Sequence, residues 1–268
     1  LDNPILLCGD RLDNLFDSVP YRYAAGAWNG FYLQATQPQN YLLEYVDILS
    51  GNIGLYCMSE CQGTLPKLTL NGCRIHNHAL YGLVLLHVDA EVANTEISNC
   101  ASYCVYCQGG KHDFIHSTIA SYFGYTNIRI QSTGKEDVAA VCIYAADSTM
   151  TTATSFYNSI VTGYRSDEVT IKIDTAAQTY QGAFTGNYLK TDSTMQKLFP
   201  DNRYYEKTDT AMFVNNFYKY KEYIYYDFHL DSVSPARGIG DKENATPEDR
   251  DGVKRQDIID AGCYQYRP

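Results

Sequence analysis

Four carboxylates, Asp89, Glu91, Glu96 and Asp113, stand in a stretch where like residues recur about every 22 positions, the interval that separates Glu91 from Asp113. Glycoside hydrolysis needs two carboxyl groups ~5 to 9.5 Å apart, and neighbouring strands ~4.8 Å apart can supply them. These four are the candidate catalytic residues; a solvated acidic face is the alternative reading. Elimination from a uronic acid asks for more, a strong base together with cations that neutralise the substrate carboxylate. Between Trp28 and Ile128 the basic residues are Lys67, Arg74 and Lys111, against seven acidic ones. Such a face repels polyuronates unless Ca²⁺ bridges them.

Five of the six histidines are His76, His78, His87, His112 and His116. Their spacing brings no Cys or carboxylate to a recognised metal-ligand interval, so surface or corner positions are expected and no metal is assigned. Cys104-x-x-Cys107 resembles a redox or zinc pair, but residues three apart on a strand face opposite sides. The nine cysteines lack the density of a disulfide-stapled scaffold and read mostly as buried thiols. Asp249-x-Asp251-Gly252 begins like a calcium loop without its distal glutamate and reads as a turn. No cofactor is called for, with Ca²⁺ between outward carboxylates of neighbouring strands as the open possibility.

Tyrosine is the compositional outlier, 25 residues against one tryptophan. Tyrosines suit half-buried strands, and exposed ones stack on sugar rings. Tyr56, Tyr81, Tyr103 and Tyr106 recur with the repeat, and Tyr223 sits in the run Phe217 to Tyr226, where Lys219, Lys221, Tyr223 and Tyr225 share one face. These five are the candidate ligand-binding residues.

The elements that must position these groups are written in a repeat. Ile48, Ile75, Ile97 and Ile119 follow one another at gaps of 27, 22 and 22, with an echo at Ile160. A period above 20 residues means stacked coils. Gly54-Leu55-Tyr56-Cys57 aligns with Gly82-Leu83-Val84-Leu85 and Cys104-Val105-Tyr106-Cys107, so each coil carries at least two strands. Strand alternation sends the isoleucines inward and Asp47, Arg74, Glu96 and Thr118 outward. Ser50, Asn77, Asn99 and Ser121, two residues on, are corner residues that tolerate left-handed backbone. The reading is an all-β, right-handed parallel β-helix. Leu65-x-x-Leu68-x-Leu70-x-x-Cys73-x-Ile75 fits a leucine-rich repeat once, but the next coils place His87, Ala90 and His112 where leucine is required.

The chain reads as one domain, 1–268. Its coils are clearest over 28–128, looser over 129–225, where 174–212 reads as an excursion over one side, and 226–268 closes them. A formal net charge of -10 argues against nucleic acid, and no apolar run approaches a membrane span. Leu7 stands where a lipoprotein box needs a small residue, so Cys8 reads as strand, and any export signal lies outside this sequence.

The C-terminal stretch carries Tyr226-Asp227-Phe228-His229-Leu230, Ser234-Pro235-Ala236, Asp249-x-Asp251-Gly252 and Asp260-Ala261-Gly262-Cys263-Tyr264. This series resembles the ending of exported bacterial β-helix proteins of the pectin-lyase-like superfamily, many of them surface lipoproteins, with Cys263 where the group usually has alanine. Gly26-x-Trp28-x-Gly30 is similar to the opening of an early coil in that group, and Asn187-Tyr188-Leu189-Lys190 to a late one. The resemblance implies export, a bacterial cell-surface location, a lipid anchor upstream of Leu1 and contact with glycans. Neither the RxxPxxR string of pectate lyases nor the NTD, DD and GHG set of polygalacturonases is present. The expectation is a glycan-binding surface protein with an aromatic-lined lateral face. A polysaccharide-cleaving hydrolase or lyase of the same fold is the alternative, and a structural or adhesive surface protein the third reading.

Overall fold

A computed structural model describes residues 3–16, 19–123, 138–145, 150–173, 181–216 and 226–268. The chain winds into a right-handed parallel β-helix with three strands per coil and three long parallel sheets. Sheet 1 contains Ile5–Leu7, Val46–Leu49, Arg74–His78, Glu96–Cys100, Thr118–Ser121, Ile160–Gly163, Tyr188–Leu189 and Arg203–Tyr204. Sheet 2 contains Phe31–Ala35, Ile53–Ser59, Tyr81–Leu86, Val105–Gln108, Val141–Ala145 and Val169–Ile173. Sheet 3 contains Asn40–Glu44, Lys67–Asn71, Asp89–Ala93, Gly110–Ile115, Thr152–Tyr157 and Phe184–Thr185. The third strand of each coil was not visible as a repeat, and the apparent leucine-rich match is its first clear copy, Leu68-x-Leu70.

The interior is a set of in-register columns. Ile48, Ile75, Ile97 and Ile119 face one another across successive strands of sheet 1, as the spacing requires. The column continues through Val161 and Leu189, so the echo was read one residue early. Ile160 instead pairs with Thr118 on the outer face and is buried in a second core with Tyr188, Phe228 and Ala261. On sheet 3, Leu43, Leu70, Val92, Phe114, Phe156 and Phe184 form one column. Within it the Phe114 and Phe156 rings stack at 4.7 Å and 7°. Each coil buries little alone, and stacking like side chains removes both partners from water at ~25 cal/mol per Å² of apolar surface.

Three of the four corner residues read from the sequence are left-handed, and Ser121 is not. Ser50, Asn77 and Asn99 have φ of 60°, 65° and 53° at the turn from sheet 1 to sheet 2. There Asn77 Nδ2 donates to Ser50 Oγ of the coil below at 2.9 Å. A second corner column, Tyr45, Gly72, Asn94, His116, Asn158 and Gly186, is also left-handed and joins sheet 3 to sheet 1. The Trp28 indole donates to Leu49 O at 2.7 Å, which fixes the first coil.

Of the stretch read as a lateral excursion, 181–212 instead completes a coil and covers the end of the stack. Asp192 caps the helix Ser193–Leu198 through the Thr194 and Met195 amides, Met195 is buried, and Phe199 packs on Phe184 at 4.6 Å. The 217–225 run, Tyr223 included, lies outside the described residues. Among the described residues no helix is long and apolar enough to cross a membrane.

The closing segment, 226–268, lies along the outer face of sheet 1 and its adjoining corner. Arg250 reaches Asp47, Tyr264 reaches Glu96, the Cys263 amide donates to Thr118 Oγ1 and the Gly262 amide to Asn158 O. Asp249 is buried and accepts from the Asp251 and Val253 amides, while Gly252 has φ 78°, so the Asp-x-Asp-Gly string is a turn.

Candidate functional site

The outer face of sheet 2 carries the tyrosines. Register puts Tyr32, Tyr56, Val84, Tyr106 and Cys142 in one outward column. Tyr32 and Tyr56 pair at 5.5 Å, with Tyr32 51% exposed. Beside them Gln34 Nε2 donates to Glu60 Oε1 at 2.9 Å, both residues exposed. Tyr81, Tyr103 and Tyr106 form a separate cluster with centroids 6.0 to 6.5 Å apart, over Val138 and Cys142. Tyr103 is buried at 9% exposure and backs Tyr81 from below, so it does not present a free ring, whereas Tyr56, Tyr81 and Tyr106 are half-buried. Burial pushes the Tyr106 phenol up to about 12, so it stays a neutral donor, here to Gln108 Oε1 at 3.0 Å. Tyr32 had no place in the repeat and was missed; only the register with Tyr56 reveals it.

The four carboxylates do not form one group. Glu91 and Asp113 are register partners on adjacent coils of sheet 3, yet each is paired to a lysine at 2.9 Å, Lys67 and Lys111. Asp89 Oδ1 accepts from the Lys111 amide at 2.8 Å and lines a cavity of about 430 Å³ with His87 and Met150. Glu96 lies on sheet 1 and is 2% exposed, because the closing segment covers it. It points outward from its coil, as alternation demands, but not into water.

Around Glu96 lies an open cavity of about 350 Å³ between sheet 1 and the closing segment. Arg74 Nε donates to Glu96 Oε1 at 3.2 Å, Ser98 Oγ to the same oxygen at 2.7 Å, and the Tyr264 phenol to Oε2 at 2.8 Å. Burial alone raises the Glu96 pKa, but the Arg74 charge and these contacts override it and hold the carboxyl at about 2. Since the Ser98 proton is committed to Glu96, Ser98 Oγ accepts from His76 Nδ1 at 2.7 Å. That fixes the His76 tautomer and leaves Nε2 as a lone-pair acceptor. Burial, then Arg74, lowers the His76 pKa to about 3, so the ring is neutral.

At the mouth, His229 is clamped between Asp227 Oδ1 at 2.6 Å and Asp251 Oδ2 at 2.9 Å. Burial works against its charge, but the two carboxylates prevail and raise it to about 9. Arg250 Nη2 donates to Asp47 Oδ1 at 2.6 Å. Tyr226 and Phe228 stack at 5.9 Å and 7° as an aromatic wall. Asp47 and Glu96 read from the sequence only as outward charges, because Arg250 and Tyr264, which meet them here, stand 203 and 168 positions away.

Four of the five histidines in the first half, His76, His78, His112 and His116, are buried instead of exposed; His87 and His116 do occupy corners. Backbone and hydroxyl groups meet these rings, as with His78 Nδ1 accepting from the Gly51 amide at 3.0 Å and His112 Nδ1 bonding Thr154 Oγ1 at 2.9 Å, while His112 Nε2 is buried without a partner among the described residues. Cys104 and Cys107 are both fully buried, and all nine cysteines are free thiols. Among the described residues no three His, Cys, Asp or Glu side chains converge as a metal ligand set. Compared with known proteins, the chain matches no family model, no curated protein and no solved structure.

Proposed function

We propose that the protein is an exported bacterial cell-surface module that binds glycan on the outer face of sheet 2. The observation that carries this reading is the Tyr32–Tyr56 pair, a half-exposed aromatic platform flanked by the Gln34–Glu60 hydrogen bond. Aromatic planes take the C–H faces of sugars while amides and carboxylates take their hydroxyls. Coils spaced ~4.8 Å apart repeat at nearly the length of one sugar unit, which suits an extended chain laid along the column. Tyr81 and Tyr106 extend the surface past Val84. The C-terminal likeness to pectin-lyase-like surface lipoproteins supports export, and the acidic balance favours neutral over polyanionic glycans.

Hydrolysis by Glu91 and Asp113 is a second reading, favoured by their placement on adjacent coils. Both are half-exposed and ion-paired, which suits a solvated face better than a raised-pKa general acid. A glycan array run beside a product assay on neutral and acidic polysaccharides separates the readings. Binding without products supports recognition, products support hydrolysis or elimination, and neither response supports a structural or adhesive protein.

A further inference from the structure

We propose that the chamber between sheet 1 and the closing segment is a second binding site, taking a single neutral polyhydroxylated ring of hexopyranose type. Its size, about 350 Å³, falls at the lower end of small-ligand pockets. Its charges cancel locally: Arg74 lies on Glu96, Arg250 on Asp47, and His229 with Arg267 balances Asp227 and Asp251. A ligand with net charge would meet no unbalanced partner there, whereas hydroxyl groups, which donate and accept at once, match an alternation of committed and open polar atoms.

Those open atoms are specific. Arg74 engages Glu96 through Nε alone, so its two Nη groups have no hydrogen-bond acceptor among the described residues while the side chain is 26% exposed. His76 Nε2 is an acceptor without a described donor, held in place by the Glu96–Ser98–His76 relay. Asp227 uses Oδ1 for both of its contacts with His229, and its Oδ2 has no donor among the described residues. A forked donor, a neutral nitrogen acceptor and a carboxylate oxygen thus face one cavity with the Tyr226–Phe228 stack as its wall. Sugar pockets combine these parts because vicinal hydroxyls take a planar fork and a carboxylate, and the ring's C–H face takes an aromatic plane. The groups are also preorganised, since Arg74, His76 and Asp227 are each held by a contact of their own, with Glu96, Ser98 and His229.

This site stands apart from the tyrosine face, which lies on sheet 2, and its test is separable. Intact protein is titrated with D-glucose, D-galactose, D-mannose and the matching uronates, following saturation transfer to the sugar and the histidine ring signals. At least one neutral hexose is expected to shift the His76 and His229 signals while leaving the buried His78 and His112 signals in place. The same shifts are expected in Y32A/Y56A, and binding by R74K, which keeps the charge and loses the fork, is expected to weaken at least tenfold. Uronates binding in preference, shifts lost in Y32A/Y56A, undiminished binding by a folded R74K, or no sugar response in wild type would each overturn the assignment. Should R74K fail to fold, the wild-type histidine shifts decide alone.

Discussion

The Tyr264 phenol donates a 2.8 Å hydrogen bond to the buried Glu96 carboxylate, joining residues 168 positions apart. It fastens the closing segment to the middle coil of sheet 1. Removing the hydroxyl in Y264F leaves one carboxylate oxygen buried and short of a donor. The expected cost is about 1.5–3 kcal/mol by urea denaturation. E96A, which strands Arg74 beneath the segment, is expected to cost about 3–5 kcal/mol. Equal and small effects of both would mean that the segment is not held there.

The pH dependence of stability follows from the histidines. His76, His78 and His112 have folded pKa values depressed to about 3, 4 and 4, mainly by burial, and His116 is lowered in the same direction. The unfolded chain therefore binds more protons below an unfolded value near 6.5. Stability is full above that value and falls as pH drops toward 4, by up to about 1.4 kcal/mol per pH unit for each such group. His229 runs the other way: its contribution is complete below 6.5 and is lost as pH rises through about 9. Because its side chain is 38% exposed, solvent screens that limb. The melting temperature is expected to peak near neutrality, fall steeply toward acid and only gently toward pH 9. A flat profile between pH 6.5 and 4 would contradict the burial of neutral imidazoles.

Gly82 lets adjacent coils touch. A Cβ there would sit 2.5 Å from Cys104 O and 2.8 Å from Ile97 Cγ2. Gly54, one coil below, would meet Ile75 Cγ2 at 2.3 Å and Gly82 O at 2.5 Å. Since the first neighbour is backbone and the second a packed core side chain, G82A is expected to destabilise by about 1–3 kcal/mol or more. Differential scanning calorimetry checks this, with A90G on sheet 3 as a comparison that removes a methyl without a clash.

At the tyrosine face, Y32A/Y56A is expected to weaken retention of a glycan found by array at least tenfold, about 1.4 kcal/mol, with the melting temperature little changed. L42S is the matched surface control, because Leu42 is 63% exposed on a different sheet. Equal losses in both variants would show that binding is not specific to the aromatic pair.

How much the sequence revealed depended on whether a residue's environment was set by its own coil. Ile75, Ile97 and Ile119 could be placed because coils of 22 residues repeat without insertion and the column keeps one residue type. Asn77 and Asn99 were legible for the same reason, with left-handed corners favouring asparagine. The third strand escaped notice because its inward column changes residue type, from Leu68 through Ala90 and His112 to Thr154. Ile160 was misplaced because two cores compete for it, and the inward slot goes to Val161. Alternation correctly turned Arg74 and Glu96 away from the interior. It carried no information about Arg250 and Tyr264, which arrive from the far end of the chain to cover them.

A stack of coils whose members touch only their nearest neighbours can unravel from either tip, one layer at a time. Here a single strap ties Asp47, Glu96, Thr118 and Asn158, on four different layers, to residues 250–264. Peeling any layer beneath it forces the strap to let go of the others. The consequence is cooperativity: the strapped layers melt as one unit, and loosening the strap converts a single sharp transition into a graded fraying.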